Sequence, residues 1–85
     1  TEGEYYLGLL YAEQKRYKDA ANILEKATMK SNVNPRIFYN LGIIYQYMDN
    51  PKKAESSLLK AYSLTPDNFD VIYALADFYF KRKKK

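Results

Sequence analysis

One residue pattern returns three times in this 85-residue chain, at intervals of 34 residues. Each copy has a Tyr, a Leu two positions later, a small residue next, and a second Tyr three positions after that. The copies are 5–11, 39–45 and 73–79. The aligned residues of 1–34 and 35–68 are identical at Tyr5/Tyr39, Leu7/Leu41, Gly8/Gly42, Tyr11/Tyr45, Lys18/Lys52, Ala20/Ala54, Leu24/Leu58, Lys26/Lys60, Ala27/Ala61 and Asn34/Asn68. Self-similarity at a fixed period of this size predicts a stack of structural repeats.

Apolar residues within each repeat recur at intervals of three and four, which predicts α-helices. We expect helices over residues 2–14, 18–30, 35–48 and 51–64, and a fifth from 69 into the final lysines. Asn followed by Pro at 34–35 and at 50–51 is typical of a helix start, and Asp67 or Asn68 is expected to cap the fifth helix. Because the connections are short, consecutive helices are expected to be antiparallel neighbours.

The glycines inside the first and third helices predict where helices touch. Glycine in a helix interior costs about 1 kcal/mol relative to alanine, so a packing reason is needed. We expect Gly8 and Gly42 to lie against the neighbouring helices, opposite the faces that carry Ala20 and Ala54.

The tyrosines divide into two sets. Tyr11, Tyr45 and Tyr79 follow the repeated leucines by four positions, so they share the leucines' face and are predicted to be core. The other set precedes the leucines by two positions, about 200° around a helix, and is predicted to point the opposite way. Its members are Tyr5, Tyr39 and Tyr73.

The repeat resembles the tetratricopeptide repeat, whose signature is an aromatic residue, Leu-Gly, Tyr, Ala, an apolar residue, Ala and a closing Pro. The second repeat carries this signature in register, as Phe38, Leu41, Gly42, Tyr45, Ala54, Leu58, Ala61 and Pro66. The first repeat departs at Glu4 and Asn32, and the third at Ile72. The resemblance covers the chain except its last five residues.

The resemblance implies an all-α fold: a right-handed superhelix of antiparallel helical hairpins, with about two and a half repeats and five helices. We divide the single domain into repeats at 1–34 and 35–68, a partial repeat at 69–80, and a basic tail at 81–85. The function that this resemblance implies is a scaffold for protein–protein interaction, which binds a peptide segment in its concave groove.

In the family, the second tyrosine set and its helical neighbours line that groove. The expected groove residues are Tyr5, Leu9, Arg36, Tyr39, Asn40, Ile43, Gln46, Tyr47, Tyr73, Asp77 and Phe80. An alternative is that these tyrosines pack between neighbouring helices and only border the groove. The family's clamp for a terminal carboxylate is not expected, since only Asn40 matches it; the other clamp positions hold Tyr5, Leu9, Asp70 and Ala74.

Composition argues against an enzyme. The chain has no His and no Cys, and therefore lacks the commonest general base and metal ligand. It also lacks a phosphate-binding Gly loop and a nucleophile elbow. Asp67 and Asp70 are interpreted as helix-start residues, and Ser56-Ser57 as solvated. We expect no catalytic site, metal site or cofactor.

The net charge of +4 comes from the tail, where Lys81, Arg82, Lys83, Lys84 and Lys85 supply five positive charges. The remaining nine basic and ten acidic residues give the body about −1, so a nucleic-acid surface is not indicated. The tail is open to three interpretations: solubilising helix-end charge, a cut or engineered terminus, or a targeting or phosphate-binding segment. Nucleic-acid or acidic-surface binding through this tail is therefore the alternative function.

Self-association is a further alternative. The fifth helix is apolar on more than one side, and its flank around Ile72 and Tyr79 is where a sixth helix would dock. Because the chain starts at Thr1 rather than Met, we expect it to be part of a longer protein. No apolar run reaches the length of a membrane span, and the first residues lack signal-peptide character. The compartment is not indicated.

Overall fold

The computed structural model describes residues 2–30, apart from the Glu2 side chain, and 34–83. These residues form five α-helices and no strands. The helices are α1 (Glu2–Glu13), α2 (Tyr17–Lys30), α3 (Pro35–Tyr47), α4 (Pro51–Leu64) and α5 (Phe69–Lys83). The predicted break at 31–33 and the last two lysines of the tail lie outside the described residues. The predicted all-α repeat fold is confirmed, and every described helix boundary is within one residue of its predicted position.

The starts of α3, α4 and α5 are capped by asparagine side chains. Asn34 Oδ1 accepts the Arg36 N–H at 3.0 Å, and Asn50 Oδ1 accepts the Lys53 N–H at 3.3 Å. Asn68, rather than Asp67, caps α5. These caps satisfy backbone donors that have no partner within the helix.

The tight turns that join α1 to α2 and α3 to α4 have the same backbone conformation. Lys15 has a φ of 65° and Asp49, its equivalent one repeat later, has a φ of 59°. In each turn the following N–H closes back on a helix carbonyl, Arg16 to Tyr11 and Asn50 to Tyr45, both at 2.9 Å. This left-handed residue after the helix reverses the chain, so that α2 returns along α1 and α4 along α3.

The core lies where the second helix of each hairpin packs on the first, α2 on α1 and α4 on α3. Ala20, Leu24 and Ala27 are fully buried, as are their equivalents one repeat later, Ala54, Leu58 and Ala61. Helix α3 has α2 on one side and α4 on the other, and α5 packs on α4. The repeated small residues therefore let successive helices approach closely.

One core prediction is wrong. Tyr45 is only 4% exposed and Tyr11 is half-buried against the core, but Tyr79 is 42% exposed. Tyr45 has α4 beside α3, whereas no described helix covers the corresponding flank of α5. The same sequence position is therefore core in one repeat and surface in the next.

Candidate functional site: the face of α1, α3 and α5

Two adjacent clefts lie along the face formed by α1, α3 and α5. The apolar cleft has a volume of about 410 Å³ and is lined by Tyr39, Ile43, Gln46, Tyr47, Tyr73, Ala74, Asp77 and Lys81. The polar cleft has a volume of about 370 Å³ and is lined by Tyr5, Leu9, Pro35, Arg36, Tyr39, Asn40, Asn68, Asp70 and Val71. Tyr39 lines both, so the two clefts meet at its ring.

The helical period explains why these side chains meet. Within α3, Tyr39, Ile43 and Gln46 are spaced by four and three residues, so they share one helix face. Tyr73 and Asp77 share the corresponding face of α5. Because α4 runs antiparallel to α3, α5 begins near the start of α3, and these faces of α3 and α5 lie side by side.

Ten of the eleven predicted groove residues line the apolar and polar clefts. Phe80 is the exception: it is exposed on α5 and lines neither cleft. The clefts also contain six residues outside the expected groove set, of which Asp70 and Ala74 had been considered only as positions of the carboxylate clamp: Pro35, Asn68, Asp70, Val71, Ala74 and Lys81.

The repeat register itself could have identified three of these. Asp70, Ala74 and Lys81 are equivalent, one period later, to the predicted groove residues Arg36, Asn40 and Tyr47. Asp70 was interpreted as a helix-start residue because of its position near the cap, and it does lie in the first turn of α5. One side chain can serve both roles.

Hydrogen bonds hold the polar cleft together. Asn40 donates through its side-chain amide to the Arg36 carbonyl at 2.9 Å and to the Tyr5 hydroxyl at 3.4 Å. The second bond connects α3 to α1 across the floor of the cleft. The Asn40 carboxamide oxygen makes no hydrogen bond within the described residues, and so remains available as an acceptor.

Aromatic stacking positions Tyr47 at the edge of the apolar cleft. Its ring stacks on Tyr17 with centroids 4.9 Å apart and an interplanar angle of 3°. Tyr47 is 67% exposed, yet the stack limits its rotamers. Tyr17 is the first residue of α2 rather than part of the connection, where the sequence analysis had placed it.

The clefts carry charge of both signs. Lys81 and Asp77 form an ion pair of 3.1 Å at the edge of the apolar cleft. In the polar cleft, burial raises the pKa of the Tyr39 hydroxyl, and the nearby Asp70 carboxylate raises it further. Tyr39 is therefore neutral near pH 7 and can act as a hydrogen-bond donor or acceptor.

Two further clefts flank this face. One, of about 580 Å³, runs along α1 past Tyr6, Leu10 and Glu13 and shares Leu9 and Asn40 with the polar cleft. The other, of about 280 Å³, lies between the α3–α4 turn and the end of α5, beside Asn50, Phe78 and Arg82. Of the two, the cleft along α1 extends the groove at its α1 end.

The described residues contain no group of three or more His, Cys, Asp or Glu side chains that could hold a metal ion. None of the helices in the described part of the chain is long and apolar enough to cross a membrane. The chemistry available in the clefts is that of hydrogen bonding, apolar contact and ion pairing.

Comparison with known proteins identifies the repeat. Residues 35–68 match the sequence model of the tetratricopeptide repeat. Over 81 residues the chain is 32% identical to the type IV pilus assembly protein PilF of Pseudomonas aeruginosa. The match covers 93% of this chain and 32% of the relative, so the chain spans about a third of the relative's length. Residues 35–68 are therefore a tetratricopeptide repeat, and the five helices of the described residues have the fold of a tetratricopeptide-like helical repeat, a class of repeat that mediates protein–protein interactions.

Proposed function

We propose that this chain binds an extended segment of a partner protein along the face of α1, α3 and α5, without catalysing a reaction. The observation that carries the proposal is the pair of adjacent clefts that share Tyr39. Each is of a size that holds one or two side chains, and together they form a track rather than an enclosed pocket. Such a track suits a peptide segment better than a compact small molecule.

The apolar cleft would supply most of the binding free energy. Tyr39, Ile43 and Tyr73 offer apolar area, and tyrosine adds a hydroxyl at low entropic cost. The stack with Tyr17 holds Tyr47 in place before binding, which reduces the ordering cost on association. An apolar anchor residue of the partner would fill this cleft.

The polar cleft would fix the orientation of the segment. The free carboxamide oxygen of Asn40 would accept a backbone N–H, while its amide group stays bonded to Arg36 and Tyr5. A peptide main chain offers such donors at every second residue on one side of an extended strand. Orientation would then come from hydrogen bonds and affinity from the apolar anchor.

Capture of a partner with matched variants tests this proposal. Wild type, Tyr39→Ala and Tyr62→Ala would be immobilised and exposed to the same cell extract, with binding of each captured protein then measured by titration. Tyr62 is an exposed tyrosine of α4 that lines neither cleft. A partner retained by wild type and Tyr62→Ala but lost by Tyr39→Ala supports the groove; equal retention by all three contradicts it.

The similarity to a protein named for type IV pilus assembly suggests where to look first. We propose that pilus assembly proteins be the first partners screened. Failure to bind them would contradict this choice of partner. It would not contradict groove binding, which the capture experiment tests.

Self-association is a second candidate, favoured by the exposed side of α5. Its exposed side chains include Phe69, which is 85% exposed, with Ile72, Tyr73 and Tyr79. Soluble proteins rarely leave such a patch uncovered. Sedimentation equilibrium over a range of concentrations would detect a dimer, and Phe69→Ser should weaken it. A monomer at the highest concentration would contradict this candidate.

Binding of acidic surfaces or nucleic acid through the tail remains the alternative to the groove. Two of its described members already have intramolecular contacts: Lys81 pairs with Asp77, and the Arg82 guanidinium lies 5.7 Å from the centre of the Phe78 ring. A salt titration separates the two modes, since phosphate binding weakens steeply as counterions are released. Steep salt dependence together with unchanged binding by Tyr39→Ala would favour the tail.

A further inference from the structure

The polar cleft contains two charged groups that no other described residue neutralises. Neither the Asp70 carboxylate nor the Arg36 guanidinium belongs to any ion pair among the described residues. Asp77 in the apolar cleft, by contrast, is paired with Lys81 at 3.1 Å. An unpaired charge that lines a binding cleft is available to a ligand.

Asp70 lies beside the residue that both clefts share. Its negative charge reaches the Tyr39 hydroxyl, where it disfavours ionisation, yet no hydrogen bond joins the two groups among the described contacts. A cation placed at Asp70 would therefore meet a carboxylate and lie near a phenol oxygen able to accept a hydrogen bond. Carboxylate pairing favours a positive group there.

The start of α5 gives little help to an anion. Asn68 Oδ1 already accepts the N–H groups of Asp70, at 2.8 Å, and Val71, at 3.3 Å. Two of the backbone donors that make a free helix start attractive to anions are thus occupied. Arg36 is the cationic side chain among the residues that line this cleft, and it favours an acidic or carbonyl group.

We propose that the polar cleft receives a Lys or Arg side chain of the bound segment, held by Asp70 beside Tyr39, while an apolar side chain of the same segment fills the apolar cleft. This inference rests on the proposed groove function and specifies its ligand: a segment with an apolar anchor and a nearby basic residue. Arg36 then contacts an acidic side chain or a carbonyl oxygen farther along the segment.

The Tyr39 ring, which lines both clefts, sets the distance between the basic and the apolar side chain of the bound segment. Groups that contact opposite sides of one ring at about 4–4.5 Å lie about 8–9 Å apart. An extended chain advances about 3.3–3.6 Å per residue. The basic residue is therefore expected two or three positions from the apolar anchor.

A displayed library of short random peptides provides the test. It would be selected in parallel against wild type, Asp70→Asn, Asp67→Asn and Tyr39→Ala. Asp67→Asn is the matched control, because Asp67 is an exposed acidic residue three positions away that lines neither cleft. Circular dichroism melts would establish that all four proteins are folded before selection.

The expected result is a basic residue two or three positions from an apolar one in peptides selected by wild type and Asp67→Asn, but not by Asp70→Asn. A selected peptide should bind Asp70→Asn roughly ten-fold more weakly than wild type. Apolar enrichment without a basic residue, enrichment of acidic residues instead, or the same basic preference with Asp70→Asn would overturn the inference while leaving groove binding intact. No enrichment by wild type over Tyr39→Ala would contradict groove binding itself, and the inference with it.

Discussion

Gly42 lies so close to Leu58 that a Cβ built on the glycine would be 2.5 Å from Leu58 Cγ. The relationship recurs one repeat earlier, where a Cβ on Gly8 would be 2.6 Å from Leu24 Cγ. Both leucines are fully buried, so neither can move aside at low cost. The close approach of α1 to α2 and of α3 to α4 thus depends on the absence of one methyl group in each of the first two repeats.

Gly42→Ala is therefore expected to lower the free energy of unfolding by about 1–3 kcal/mol, since overpacking outweighs the helix propensity of alanine. Gly42→Leu should cost at least as much. Gly3 is the matched control: nothing lies within 4 Å of its added Cβ, so Gly3→Ala should be neutral or stabilising by up to about 1 kcal/mol. Urea unfolding measures both; equal stability of Gly42→Ala and wild type would contradict this packing.

Glycine should be favourable at the left-handed turn positions. Lys15 adopts a φ of 65°, a conformation that costs an ordinary L-residue about 1–2 kcal/mol. Lys15→Gly should raise the free energy of unfolding by roughly 0.5–1 kcal/mol, and Asp49→Gly by less because Asp tolerates this region better. Lys26→Gly, inside α2, should instead destabilise by about 1 kcal/mol. A loss of stability in Lys15→Gly would argue against the turn geometry.

Equivalent tyrosines are expected to differ in their effect on stability. Tyr45→Ala removes a buried ring and should cost about 3–5 kcal/mol. Tyr79→Ala removes a side chain that is 42% exposed, and should cost clearly less, about 1 kcal/mol. Thermal melts of the two variants provide the comparison. Similar costs would indicate that a partner, or a second copy of the chain, covers α5.

The Tyr79 hydroxyl should make stability depend on alkaline pH. It donates to Glu55 Oε2 at 2.6 Å, and this bond, with smaller effects of burial and of the Glu55 charge, raises the Tyr79 pKa above its ordinary value of 10.0. Since the folded pKa is raised, the stabilisation is present below about pH 10 and is lost as pH rises through the folded pKa. The group is largely exposed, so the effect should be small.

Urea unfolding at about pH 8 and about pH 11 measures this effect. Tyr79→Phe cannot ionise, so it should lose less stability between the two pH values than wild type. Tyr62→Phe provides the control, because it removes a hydroxyl from an exposed tyrosine for which no hydrogen bond is described. An identical loss in wild type and Tyr79→Phe would show that this bond contributes nothing in solution.

Groove variants should separate binding from folding. Tyr39→Ala or Ile43→Ala should weaken a partner peptide by about 1–3 kcal/mol, the usual range for an interface anchor. Tyr17→Ala should weaken it less, through the loss of the stack that holds Tyr47. Calorimetric titration of folded variants measures these differences. If Tyr39→Ala and Ile43→Ala bind with unchanged affinity and removal of 81–85 abolishes binding, the basic tail rather than the groove binds the partner.

The sequence by itself determined the repeat period, the helices and the resemblance to the tetratricopeptide repeat. A 34-residue repeat of Tyr, Leu, a small residue and Tyr constrains each helix through local periodicity, and Asn-Pro pairs locate helix starts because capping is a short-range effect. The repeat also placed most of the candidate groove, since equivalent positions of stacked repeats face the same way. Phe80 shows the limit: shared helical phase does not ensure that a side chain reaches the cleft.

The tertiary structure alone decided which equivalent residues are buried and which charges are paired. Tyr45 and Tyr79 occupy the same repeat position, but among the described residues helices pack on both flanks of α3, which carries Tyr45, and on one flank of α5, which carries Tyr79. Asp77 pairs with Lys81 one turn away, whereas Asp70 lies beside Tyr39 and forms no ion pair with any residue that the structure describes. Burial and charge pairing depend on contacts between residues distant in the chain, and local sequence patterns do not determine those contacts.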